Sequence, residues 1–107
     1  MYRYELYIPD KYLDNDSVKF FDDFENIIDS IAYTLINKFK LTGISVKQEQ
    51  GYYKLKSNDI SKMNNKVIYF YSESDCHDDF IDFCTDLKLQ LMQESLLINC
   101  NGEIILC

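Results

Sequence analysis

Tryptophan is absent from this chain of 107 residues, and histidine, proline and alanine occur once each, at His77, Pro9 and Ala32. A single histidine leaves most acid–base chemistry to thiols and carboxylates. Ser-His-Asp order, a P-loop, G-x-G-x-x-G and H-E-x-x-H are all missing. No apolar run approaches the roughly 20 residues that cross a bilayer. Met1-Tyr2-Arg3-Tyr4-Glu5 lacks the apolar core of a secretory leader, so the expected location is the cytoplasm. Cys76, Cys84, Cys100 and Cys107 form no C-x-x-C pair, and in a cytosolic chain they read as free thiols. Cations are scarce: 11 Lys and Arg against 18 Asp and Glu give a net charge of −7. That opposes direct binding to nucleic acid, where Lys and Arg must neutralise phosphates, and it opposes anionic membranes. It favours a basic protein partner.

The length fits one domain, residues 1–107, with neither repeats nor low-complexity tracts. Asn, Lys, Ile, Tyr, Phe and Asp are abundant, mostly residues of AT-rich codons. A low-GC bacterium, or a phage or mobile element living in one, is the expected source.

Tyr2, Tyr4, Leu6 and Ile8 alternate with Arg3, Glu5 and Tyr7, which predicts a strand stopped at Pro9-Asp10. Lys11 to Asp16 reads as a polar connector, with Asp14, Asp16 and Ser17 competing to cap a helix over Val18 to Phe39. The apolar stripe of that helix is Phe20, Phe24, Ile27, Ile31, Leu35 and Phe39, and Gly43 suits its C-terminal cap. Ile44 to Gln48 reads as a strand. Tyr52 to Leu55 continues it through a bulge at Gly51 or pairs with it as a hairpin. Ser57 to Lys66 is polar and turn-forming. Val67 to Tyr71 is a strand apolar on both faces, hence central. Ser74 and Asp75 suit a cap, and Phe80, Cys84, Leu87 and Leu91 mark a second helix. Leu96 to Cys100, Asn101-Gly102 and Glu103 to Cys107 make a hairpin with a type I′ turn. The order is β-α-β-β-α-β with an extra C-terminal hairpin strand. It predicts a ferredoxin-like α+β fold with both helices on one face of an antiparallel sheet.

Gly43-Ile44-Ser45-Val46, Gly51-Tyr52-Tyr53 and Gln93-Glu94-Ser95-Leu96-Leu97-Ile98 resemble landmarks of a family of small ferredoxin-like proteins of unknown function found in bacteria and phages. Tyr53 stands where that family usually has tryptophan. The resemblance implies the fold and a mobile-element origin, and it assigns no chemistry.

Two acidic rows stand out. Asp75, Asp79, Asp82 and Asp86 recur at helical spacing over about 16 Å, at 1.5 Å per residue, and Asp22, Glu25 and Asp29 make a shorter row. One charge per ~5 Å is sparser than the ~1.7 Å of duplex DNA, so nucleic-acid mimicry is permitted and not demanded. The plain alternative is a solvated helix face. Tyr7, Tyr52, Tyr69 and Tyr71, with Leu97, Ile104 and Leu106, form the expected oligomer or partner face. Lys47, Lys54, Lys56, Lys62 and Lys66 are too local a patch for nucleic-acid binding. In Asp75-Cys76-His77-Asp78-Asp79, the positions three and four after His77 hold Phe80 and Ile81, so no metal set forms, and neither a metal nor a cofactor is expected.

The leading expectation is a non-catalytic acidic interaction module. It would be a homodimer from a phage or mobile element, inhibiting a nucleic-acid-binding host defence protein in the manner of an anti-CRISPR. The acidic rows would meet a basic surface. The alternative is a small-ligand-binding or enzymatic domain with its site near His77, between sheet and loops.

Overall fold

The computed structural model describes residues 1–15, 17–54 and 57–107. Asp16 as a candidate cap, Leu55 as a strand residue and Lys56 of the basic patch lie outside the described residues. Strand β1 (Tyr2–Pro9) leads into a hairpin of β2 (Lys11–Asp14) and β3 (Ser17–Phe20), then helix α1 (Phe24–Phe39). Strands β4 (Ser45–Lys54) and β5 (Ile60–Ser72), helix α2 (His77–Gln90), and strands β6 (Leu97–Cys100) and β7 (Glu103–Leu106) complete the chain. The main sheet has the order β4-β5-β1-β6-β7 and is antiparallel throughout. This is the ferredoxin-like arrangement with β7 added at one edge, and β1 is its central strand.

Alternation along β1 sends Tyr4, Leu6 and Ile8 into the core, where both helices cover them. From α1, Ile28, Ile31, Ala32 and Leu35 are buried at helical spacing. Phe80, Cys84 and Leu87 are their counterparts on α2. Each large apolar side chain so buried contributes on the order of 1.5–3 kcal/mol. An aromatic cluster fills the middle: the Tyr4 ring lies 5.4 Å from Phe70 and 5.1 Å from Phe80, and Phe39 lies 5.9 Å from Phe70. The Tyr4 hydroxyl accepts the Cys76 backbone N–H at 2.8 Å and donates to Asp75 Oδ1 at 3.3 Å. That joins the central strand to the start of α2.

Several sequence expectations are corrected. The first helix begins at Phe24, capped by Asp23, and not near Val18. Val18 and Phe20 belong to β3, and Phe20 is 64% exposed. Asn15 turns the chain at φ 50°, and Asp10 O accepts Phe21 N–H at 3.1 Å, so the connector closes as a hairpin. The cap of α1 at its C-terminal end is Lys40 at φ 54°, not Gly43. No bulge occurs at Gly51: β4 pairs with β5 without interruption from Ser45 opposite Tyr69 to Lys54 opposite Ile60. The polar stretch before Val67 is strand from Ile60 onward, because β4 supplies the partner for its backbone. The cap of α2 is Cys76, so Asp75 precedes the helix. At the Asn101-Gly102 turn the expected positive φ is present at both residues, 54° and 98°.

Removing the Tyr4 hydroxyl leaves the Cys76 N–H without its partner, which costs about 1–3 kcal/mol. Chemical denaturation of Tyr4→Phe is expected to show that loss with an unchanged denaturant slope, and a change below about 0.5 kcal/mol would remove the hydroxyl from this role.

Candidate functional site

The predicted acidic residues Asp22, Glu25, Asp29, Asp75, Asp79, Asp82 and Asp86 are all exposed. Asp22 precedes α1 and Asp75 precedes α2, so each helical row is one residue shorter than its spacing implied. Glu25 is engaged, with its Oε1 3.2 Å from Lys66 Nζ.

At the start of α2, Asp75 Oδ1 accepts the His77 backbone N–H at 3.0 Å, which holds the chain in a tight turn. His77 Nδ1 lies 3.0 Å from Asp78 Oδ1, and His77 Nε2 lies 3.6 Å from Glu103 Oε2 on β7. The Cys76 sulfur faces the Ser74 carbonyl and the Ser72 hydroxyl, each at 3.4 Å, and forms no pair with His77. An open depression of about 450 Å³ is lined by Asp75, Cys76, His77, Asp78 and Asp79. It attracts cations but has no apolar wall and no nucleophile–base pair. Among the described residues, no group of three His, Cys, Asp or Glu side chains is arranged to hold a metal ion. Burial pushes the Cys84 thiol up strongly and the Cys100 thiol to about 11, so neither is a ready nucleophile.

The sheet face away from the helices carries Arg3, Glu5, Tyr7, Tyr69 and Tyr71. The Tyr7 hydroxyl donates to Glu5 Oε2 at 3.1 Å, and Arg3 Nη1 donates to the Tyr71 hydroxyl at 2.8 Å. The Arg3 guanidinium lies over Tyr69 and Tyr71, 4.8 and 5.4 Å from their centroids. Arg3 Nε is 3.3 Å from Glu5 Oε1 but off the hydrogen-bonding direction, and it is buried without a partner. Burial, then the Glu5 hydrogen bond, raises the Tyr7 hydroxyl to about 12. Glu5, Tyr7, Arg3 Nη1 and Tyr71 thus serve one another on this face. Leu97, Ile104 and Leu106 share the face, with Ile104 and Leu106 61% and 69% exposed. Tyr52 does not belong to it. Register places Tyr52 opposite Lys62, on the other side of β4. Tyr53 takes its place, its ring folded over Gly51 and its hydroxyl accepting from Asn65 Nδ2 at 3.0 Å.

A third arrangement escaped the sequence reading. On the helix side of the sheet, Gln48, Asn64, Lys66 and Asp10 cross β4, β5 and the end of β1. Phe24 and Glu25 of α1 stand beside them, and together they line a cleft of about 220 Å³. Asp10 N–H donates to the Asn64 carbonyl at 3.1 Å, which fixes the two residues side by side. Their side-chain acceptors, Asp10 Oδ1 and Asn64 Oδ1, are buried with no donor among the described residues. An acceptor left so costs about 1–3 kcal/mol. The detectable sign in the sequence was polarity at core-phase positions: Gln48, Asn64 and Lys66 fall on the core side of their strands, in line with Val46, Ile68 and Phe70.

No protein-family model matches the sequence, and no curated protein matches it. Two solved structures share the fold. A phage SAM lyase in complex with S-methyl-5'-thioadenosine superposes with a TM-score of 0.66 at 14% identity, covering 96% of this chain and 83% of that one. A phage SAM lyase in the apo state gives 0.65 at 16% identity, covering 97% and 83%. At this identity the likeness establishes the fold. It also corrects the leading expectation. Both structures are of a phage SAM lyase, a small-ligand enzyme, so the reading as a non-catalytic anti-defence inhibitor is withdrawn. No described helix is long and apolar enough to cross a membrane.

His77 titrates above its ordinary 6.5 because the Asp78 hydrogen bond favours the cation; slight burial opposes this, and Glu103 adds to it. Its stabilising contribution is complete below about 6.5 and is lost as pH rises through the folded-state value. An NMR titration of the ring is expected to give a midpoint above 6.5 that falls in Glu103→Gln; a midpoint at or below 6.5 would break the bridge to β7.

Proposed function

We propose that the chain is a small-ligand enzyme that cleaves S-adenosylmethionine. The supporting observation is the likeness of 96% of the chain to a lyase of that substrate, solved with S-methyl-5'-thioadenosine. The reaction suits a chain with little catalytic equipment. In a sulfonium, sulfur carries the positive charge and is already a good leaving group. When the bond between sulfur and the γ-carbon of the aminobutyrate breaks, sulfur keeps the electron pair and departs as a neutral thioether. No acid has to protonate it. The substrate's own carboxylate oxygen bonds to the γ-carbon as the carbon–sulfur bond breaks, so a lactone and the neutral thioether form and no proton has to be moved. Holding the substrate in the reactive shape supplies much of the acceleration. One half-exposed histidine and four free cysteines, two of them buried, therefore do not exclude the activity.

Charge supports the same substrate. S-adenosylmethionine is a net cation at neutral pH, and a chain of net charge −7 attracts it. Chromatography of S-adenosylmethionine incubated with the purified chain is expected to show protein-dependent formation of S-methyl-5'-thioadenosine. Intact S-adenosylmethionine after prolonged incubation with folded protein would overturn the proposal.

A further inference from the structure

We infer that the cleft beside the first turn of α1 is a nucleoside site, in which Asp10 and Asn64 accept hydrogen bonds from the ribose hydroxyls of an adenosyl ligand. This assignment rests on the functional reading above and deepens it by giving the ligand a place.

Asp10 and Asn64 both line this cleft, and the Oδ1 atom of each is a buried acceptor without a donor among the described residues. A complementary ligand must bring two donors close together. Neighbouring hydroxyls do so, while a phosphate or carboxylate brings only further acceptors. Charge selects in the same direction. Lys66 is the cation of this lining and is already paired with Glu25 at 3.2 Å. With Asp10 added, the lining is net negative. It disfavours a nucleotide and accepts a nucleoside or its sulfonium derivative.

Phe24 supplies an apolar wall, held by stacking on Phe21 at a centroid distance of 5.9 Å. The hairpin of β2 and β3 fixes the other side, because Asp10 O accepts the Phe21 N–H at 3.1 Å. At about 220 Å³ the cleft takes a ribose and leaves the remainder of the ligand on its rim, being smaller than the ~300–1,000 Å³ of whole-ligand sites. The open sheet face competes poorly at its centre, because Glu5 and the Tyr7 and Tyr71 hydroxyls there are already partnered.

Calorimetric titration of the full chain with S-methyl-5'-thioadenosine, adenosine, 2'-deoxyadenosine and AMP tests the site. The first two are expected to bind. The deoxynucleoside and AMP are expected to bind at least tenfold more weakly. Asp10→Ala and Asn64→Ala should each weaken S-methyl-5'-thioadenosine about tenfold, whereas Glu5→Gln, on the opposite face, should not. In the unmodified chain, binding should move the amide resonances of Phe24, Glu25, Asn64, Asn65 and Lys66, and this map decides the matter if a variant fails to fold. Binding that maps to Glu5 and Tyr69 and survives both alanine substitutions overturns the site and leaves the functional reading standing. Turnover of S-adenosylmethionine with no nucleoside binding does the same. Neither binding nor turnover removes both.

Discussion

The hydroxyl of Tyr4 is the point at which sheet, core and second helix are tied together. Its ring stands in the aromatic cluster with Phe70 and Phe80, and its oxygen takes the Cys76 N–H at 2.8 Å. A buried phenol needs such a partner, and α2 needs an anchor at its start, where no side chain caps it. One group meets both demands. Burial, opposed by the Cys76 hydrogen bond, leaves the hydroxyl raised above its ordinary range, so it stays protonated and donates to Asp75. With α2 held there, Phe80, Cys84 and Leu87 face the sheet, and the exposed aspartates face water.

From that arrangement the two sides of the sheet acquire different polar character. On the open side, Arg3, Glu5, Tyr7 and Tyr71 are placed by register so that they serve one another. On the covered side the helices bury apolar residues along most of the sheet. Toward Asp10 and Asn64 the same strand positions turn polar, and there the acceptors have no donors. A stability argument alone would fill that corner with apolar side chains. In the proposed site, a ligand that supplies donors is the reason it is not filled.

The fold was legible because its long elements carry strong periodicity. Tyr4, Leu6 and Ile8, then Ile28, Ile31 and Leu35, then Phe80, Cys84 and Leu87 point to one core whichever way their ends are drawn. Asn101-Gly102 announced its hairpin through turn chemistry. Errors fell where local patterns competed. Val18 and Phe20 fit a helical stripe as well as they fit a strand, and the hydrogen bonds of β2 and β3 decided the matter. Ile60 to Lys66 looked like a loop because its polar residues hide alternation, yet β4 pairs with all of it. The candidate cleft was illegible for the same reason: Asn64 and Asn65 read as turn formers, and nothing local joins them to Asp10. The acidic rows were correctly seen as exposed, but exposure of carboxylates on helices is the common condition of a soluble surface and singles out no partner.

Sulfonium cleavage asks a protein for placement more than for acids and bases, so the proposed activity is compatible with a sparse chemical inventory. The most direct measurement is a crystal structure of the chain soaked with S-methyl-5'-thioadenosine. The expected result is ligand density beside Phe24, with the ribose hydroxyls within hydrogen-bonding distance of Asp10 and Asn64. Density on the open face against Glu5 and Tyr69, or an empty cleft at saturating ligand, would contradict the account.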